Sequence, residues 1–405
     1  MSAADLSPYT IDISQDVLDD LQTRLRATRF APDLNNDDEK YGLSTGYLKG
    51  LVEHWANAFD WRAAERKLNA AEQYRVEIDG TPVHFLRAPA KKSDALPLIL
   101  LHGWPWTYLD WTRVTEPLSN PAAHGAGSAP AFEVIVPSLP GFAFSTPVAD
   151  GHENYVSMAE RFHTLMTEVL GHKRYAVCGS DYGALVAGQL AHRHPESVTG
   201  LHQGMPSPLP ALQGDRYWDI TGGRPVPDDA SPELRQDLRA FVEALGPHLA
   251  VHTLDGQTLT HGLHDSPAGM LAWILERWKR WSDRNATFEE VFPVDHVLTS
   301  ATIYWATQSI GSSIRIYKNA HLYPEPEEYR TTPPITVPTS FTFHLGDQAS
   351  PGINTAEEYK AAIKQNTAEI YQDLREIYVH QRGGHFGPWE QPDAWVEDLR
   401  NALGQ

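Results

Sequence analysis

Five residues, Gly179-Ser180-Asp181-Tyr182-Gly183, constrain this chain more than any others. They follow an apolar run, Tyr175-Ala176-Val177-Cys178, and precede a helix-forming stretch, Ala184-Leu185-Val186-Ala187-Gly188. A strand that turns through G-x-D-x-G into a helix lifts its middle side chain above the end of a sheet. The glycines are required because a strained turn and a close helix–strand approach leave no room for a Cβ atom. The residue lifted is Asp181; Ser180 stands one position too early. Cys178, the single cysteine, falls on the strand and reads as a small buried residue.

The rest of the chain supplies the sheet such a turn needs. At 405 residues with 41% hydrophobic content it can bury a large core, as one big α/β domain with elaborations. Tyr74 to Ile78, a turn at Asp79-Gly80, and Val83 to Leu86 read as a hairpin. Pro97 to Leu101 is apolar throughout, as in a parallel strand covered on both faces. Further strands are expected at Phe132 to Val136, Tyr175 to Cys178, Val198 to His202, Thr339 to His344 and Glu376 to Val379. Strands alternating with helical patterns predict a mostly parallel, doubly wound α/β sheet.

Two regions break the alternation. The first 70 or so residues are polar and helical, with Leu18, Leu21 and Leu25 at helical spacing and a second amphipathic stretch from Tyr47 to Trp55. Between Pro206 and Pro324 lie helical patterns at Leu234 to Leu245, Met270 to Trp281 and Ile303 to Tyr317, joined by loops such as Gly222-Gly223-Arg224-Pro225. A helical insertion at this place forms a cap over the site. The expected divisions are an N-terminal region over 1–92, a first core part over 93–205, the cap over 206–325 and a second core part over 326–405.

Charge and composition exclude several classes. A formal net charge of −19 disfavours nucleic acid or an anionic membrane as partner. One cysteine allows neither a disulfide framework nor a cysteine-based zinc site. The N-terminus has no basic and apolar signal pattern, and no apolar run approaches the about 18 residues of a membrane span. A cytoplasmic protein is expected, and a homodimer is left open.

Ligands of open α/β sheets sit at the carboxyl ends of the strands. Four segments follow predicted strands there: Asp181; His102-Gly103-Trp104-Pro105; Leu345-Gly346-Asp347; and Gly383-Gly384-His385-Phe386. Nucleophile, acid, histidine is the chain order expected of an α/β-hydrolase fold. The backbone N–H groups of Trp104 and Tyr182 are the candidate oxyanion donors. A carboxylate nucleophile attacks carbon to form an ester, as in epoxide opening and dehalogenation. His385 would then activate water and Asp347 would fix its tautomer. Trp104, Trp106, Trp218 and Phe386 are candidates for an aromatic pocket. Alternatives are a haloalkane dehalogenase-like hydrolase, which would want halide-binding N–H donors, and a non-catalytic binding protein on a hydrolase fold.

At this point the chain resembles the microsomal-type epoxide hydrolases along nearly its whole length. Arg24 to Phe30, Phe59-Asp60-Trp61-Arg62 and Leu68-Asn69 are similar to that family's N-terminal extension. His102 to Pro105, Pro140 to Ser145, Gly179 to Gly183 and Gly384-His385-Phe386 are similar to its core. Asp265-Ser266-Pro267-Ala268-Gly269 and Arg315-Ile316-Tyr317-Lys318 are similar to its cap. The resemblance implies a cofactor-free and metal-free hydrolase of small-molecule epoxides and water, with an N-terminal meander, a core and a lid. It also implies that Tyr317 meets the epoxide oxygen. The family's elbow more often reads G-G-D-W-G, so Ser180 and Tyr182 depart from it. Where a second cap tyrosine would fall stands His248, with Tyr217, His252 and Tyr304 as other candidates for the second proton donor.

Overall fold

The computed structural model of the chain describes residues 6–324, 333–347 and 351–404. Eight strands form one sheet: β1 (Gln73–Ile78), β2 (Thr81–Ala88), β3 (Leu96–Leu101), β4 (Phe132–Pro137), β5 (Tyr175–Gly179), β6 (Val198–Gln203), β7 (Ile335–His344) and β8 (Tyr371–His380). Their order is β1-β2-β4-β3-β5-β6-β7-β8. The β1–β2 and β2–β4 pairs are antiparallel and the others parallel. Asp79 (φ 48°) and Gly80 (φ 74°) make the two-residue hairpin turn, both left-handed as the twist of a tight hairpin demands.

β3 and β5 are apolar because they are covered on both sides. Ile99, Leu101 and Val177 face one core with Tyr182, Leu185 and Phe162. Leu98, Leu100, Ala176 and Cys178 alternate into the opposite core, against Leu118, Trp395 and Leu399. Leu98 to Leu101 are wholly buried. Each such leucine contributes about 1.5–3 kcal/mol by leaving water, which holds the strand ends that carry the site in place. Cys178 is wholly buried, and burial pushes its thiol pKa far up.

The N-terminal helices Gln15–Arg26, Thr45–Asn57 and Trp61–Leu68 form a strap over core and cap. Trp55 Nε1 donates to Thr302 Oγ1 at 3.0 Å, and the Tyr47 hydroxyl donates to Glu289 at 2.7 Å. The cap is inserted between β6 and β7. Its helices are Pro232–Leu254, Gly256–Asp265, Pro267–Trp281, Val294–Ala306 and Ile310–Leu322, with a short turn at Phe288–Val291. The expected boundary at 325/326 lies outside the described residues.

Two helical expectations need correction. Ile303 to Tyr317 is not one helix: it breaks at Gln308, which takes φ 54°. Gln308 N–H donates to Trp305 O (3.1 Å) and Ser309 N–H to Tyr304 O (3.1 Å), the left-handed helix ending that satisfies the last carbonyls. Apolar periodicity continues across the break and hides it. Conversely, the first cap helix does not stop near Leu245 but runs through Pro247 to Leu254, burying His248, Leu249 and His252.

Candidate active site

β5 ends at Gly179, and Asp181 stands at the N-terminus of the helix Tyr182–Arg193 with φ 52° and ψ −131°. An L-residue held there stores roughly 1–3 kcal/mol of strain. The flanking glycines are obligatory. A Cβ on Gly179 would lie 2.2 Å from Gly183 O, and one on Gly183 would lie 2.2 Å from Leu101 O. Gly103 leaves the space that the carboxylate fills, since a Cβ there would meet Asp181 Oδ1 at 2.1 Å.

The two oxygens of Asp181 are held differently. Oδ1 accepts the Trp104 N–H at 2.7 Å, whereas Oδ2 lies 3.2 Å from His385 Nε2. Burial disfavours the Asp181 charge, yet His385 and the N–H groups of Trp104 and Tyr182 hold its pKa below the usual carboxylate range. The helix N-terminus adds to that effect.

His385 follows β8. Its Nδ1 lies 3.5 Å from Asp347 Oδ2, and Asp347 follows β7. Burial opposes a charge on the ring, but hydrogen bonds and attraction from Asp181 and Asp347 outweigh it and push the pKa up to about 10. Its main chain is fixed as well: His385 N–H donates to Trp281 O at 2.8 Å. Trp281 and Trp106 both meet the imidazole edge-on, at 5.1 and 5.6 Å between ring centres. Phe386 is wholly buried and packs on Trp106 at 5.1 Å.

From the cap, Tyr317 comes over the elbow, its ring 5.6 Å from that of Tyr182. It is 4% exposed. Burial, with Asp181 nearby, pushes its phenol pKa far up. His248 lies beside it at 5.8 Å, stacked along Trp104 at 5.7 Å and edge-on to Trp281 at 4.8 Å. Burial pushes the His248 pKa down to about 3, so the ring is neutral across the working range.

The other cap candidates are engaged elsewhere. Tyr304 donates its hydroxyl to Trp106 O at 3.0 Å. His252 accepts Trp273 Nε1–H at 3.0 Å through its Nε2. Tyr217 stacks on His321 at 3.7 Å and receives the Lys318 ammonium. Trp218 is not brought to the site: its ring packs on Tyr217 and under Arg216 in the loop before the first cap helix. Tyr182 accepts the Tyr155 N–H (3.1 Å) and donates to Ile316 O (3.1 Å), tying the elbow to the Tyr317 helix.

Comparisons with known proteins identify the family. A family model described as epoxide hydrolase N terminus matches residues 6–111, and one described as alpha/beta hydrolase fold matches residues 97–373. A putative epoxide hydrolase of Stigmatella aurantiaca is 33% identical over 409 residues, which cover 99% of this chain and 85% of the relative. This chain belongs to the epoxide hydrolases. Epoxide hydrolase 1 of Sus scrofa is 27% identical over 416 residues, covering 98% of this chain and 88% of that protein. Among solved structures, the juvenile hormone epoxide hydrolase of the silkworm Bombyx mori matches with a TM-score of 0.78 at 25% identity, over 99% of this chain and 94% of that one. The Aspergillus niger epoxide hydrolase gives a TM-score of 0.77 at 25% identity, over 99% and 96%.

Three groups of this epoxide hydrolase site escaped sequence reasoning. Trp281 contributes a ring and a carbonyl to His385. Asp283 accepts the Gly383 N–H at 2.9 Å and the Arg382 side chain at 2.7 Å. Glu390 accepts N–H groups on either side of His385. Burial pushes the Glu390 pKa up to about 7 against the pull of those N–H groups, and Asp347 adds to the rise. Among the described residues no cluster of His, Cys, Asp or Glu could hold a metal, and no helix is long and apolar enough to cross a membrane.

Proposed function

We propose that this epoxide hydrolase converts hydrophobic or aromatic epoxides to vicinal diols through a covalent ester on Asp181. The observation that carries the reading is the division of labour between the two Asp181 oxygens. Oδ1 accepts the Trp104 N–H, and the Tyr182 N–H also supports the carboxylate, while Oδ2 lies beside His385 and is the attacking atom. Oδ2 attacks an epoxide carbon, and the ring C–O bond breaks. Tyr317 gives its proton to the departing oxygen, with neutral His248 as the second donor. Each such contact strengthens as charge develops on the oxygen among buried, largely apolar groups.

Ester formation removes the Asp181 charge. Of the two carboxylates that hold His385 charged, one is then gone, and burial lowers the ring's pKa. His385 sheds its proton, which makes good the one Tyr317 gave, and becomes the base it was not in the resting state. It takes a proton from water, whose oxygen attacks the ester carbonyl. Oδ1 now carries the negative charge, already seated on the Trp104 N–H, with the Tyr182 N–H as the second donor. Collapse releases the second diol oxygen, which takes the hydroxyl proton of the adduct, and Asp181 and charged His385 are restored. Trp104, Trp106, Trp281 and Phe386 surround the reacting groups with aromatic surface. That surface favours apolar or aryl substituents. No step calls for a cofactor.

The test is turnover of racemic aryl epoxides scored by chiral chromatography. Diol formation by the wild type and its loss in Asp181→Ala are expected. Diol produced at the wild-type rate by Asp181→Ala would refute the reading.

A further inference from the structure

Every backbone N–H from Gly383 to Phe386 is received by a specific group. Gly383 donates to Asp283 Oδ2 at 2.9 Å, and His385 donates to Trp281 O at 2.8 Å. The two between and beyond go to one side chain: Gly384 N–H meets Glu390 Oε2 at 3.0 Å, and Phe386 N–H meets Glu390 Oε1 at 3.0 Å. Oε2 also accepts the Asp283 N–H at 2.8 Å. The Glu390 carboxylate therefore brackets His385 on both sides. It also fastens the His385 loop to the segment that leaves the cap helix Pro267–Trp281. The packing is close there: a Cβ on Gly384 would lie 2.4 Å from Asp283 N and 2.6 Å from Trp281 O.

We infer that Glu390 is the positioning residue of the base: by accepting the Gly384, Phe386 and Asp283 N–H groups together it holds His385 between Asp181 and Asp347. It touches neither substrate nor the reacting atoms. Its part is to keep Nε2 and Nδ1 at 3.2 and 3.5 Å from their two carboxylates. The geometry needs both oxygens and a side chain of this length. Aspartate keeps the charge but is one methylene too short to span three N–H groups. Glutamine keeps the length but replaces one acceptor oxygen by an amide that faces N–H donors, leaving either Phe386 or the Gly384–Asp283 pair unsatisfied. The inference rests on the proposed role of His385 as base, although the placement of the ring can be measured without it.

The experiment compares wild type, Glu390→Asp and Glu390→Gln near pH 9, with the His385 ring proton resonance assigned by its absence in His385→Gln. In both Glu390 variants the His385 titration is expected to move down by about one pH unit or more, because ion pairs at this range weaken steeply when geometry is lost. Amide exchange at Gly384 and Phe386 should quicken in step. An unchanged His385 titration in folded Glu390→Asp would overturn the inference, since the charge is retained there and only the grip is lost. So would a shift in Glu390→Gln that Glu390→Asp restores fully, which would mean charge and not position. Transient kinetics separates this from the mechanism above. Slower ester hydrolysis with near-normal ester formation supports the inference. Equal slowing of both steps overturns it, and absence of any ester in the wild type counts against the covalent reading alone.

Discussion

Replacing Tyr317 by Phe removes one hydroxyl and almost no volume, so it isolates the donor at the step where the epoxide ring opens. The ring is 4% exposed and wedged against Tyr182, His248 and His252. Phe keeps those contacts, and the fold should be unchanged. Loss of one well-placed donor to a developing oxyanion costs roughly 2.7–4 kcal/mol, or about 10²–10³-fold in rate. Neutral His248 remains, which places the expected slowing of ester formation at the lower end, about 100-fold. Ester hydrolysis does not use the phenol and should stay within about threefold, under 1 kcal/mol. Stopped-flow tryptophan fluorescence resolves the two steps, since Trp104 and Trp281 ring His248 and Trp281 meets His385. Ester formation within twofold of the wild type in folded Tyr317→Phe, or equal slowing of both steps, would rule out Tyr317 as the donor.

His385→Gln should form the ester and fail to hydrolyse it, so that intact-protein mass rises by the mass of the epoxide; Asp347→Asn should show a milder form of the same defect. In His248→Phe, ester formation should slow by about tenfold, 1.4 kcal/mol, at every pH from 6 to 9, because the ring it removes is neutral throughout. A loss confined to low pH would contradict the burial argument. The His385 pKa is raised from its unfolded value, so its stabilising effect is complete below about pH 6.5 and is lost as pH rises towards about 10. The thermal midpoint should accordingly fall across that window, and fall less in His385→Gln.

The elbow was legible because its chemistry is local. A helix that starts within two residues of a buried strand forces glycine at 179 and 183, and only the residue between can project. Asp347 and His385 were legible because apolar strands announce the sheet's carboxyl edge, and both follow such strands directly. The break at Gln308 was hidden, since a non-glycine residue took the left-handed position and the apolar period ran on across it. Trp218 carried no signal that its ring would pack on Tyr217 and Arg216 rather than over the nucleophile. The protonation of His248 was also hidden, because it follows from burial among Trp104, Trp281 and Tyr317, residues distant in sequence. The Trp281 carbonyl and the Glu390 carboxylate meet backbone N–H groups of the His385 loop, and such contacts leave no mark on the sequence.

In covalent catalysis a carboxylate oxygen of Asp181 becomes a diol oxygen. A single turnover with enzyme in excess, run in oxygen-18 water, tests it directly when both diol and the Asp181 peptide are weighed by mass spectrometry. Unlabelled diol is expected from the first turnover, with one oxygen-18 atom retained in the Asp181 peptide. Labelled diol with an unlabelled Asp181 peptide would mean that water attacks the epoxide directly, and the covalent account would fall.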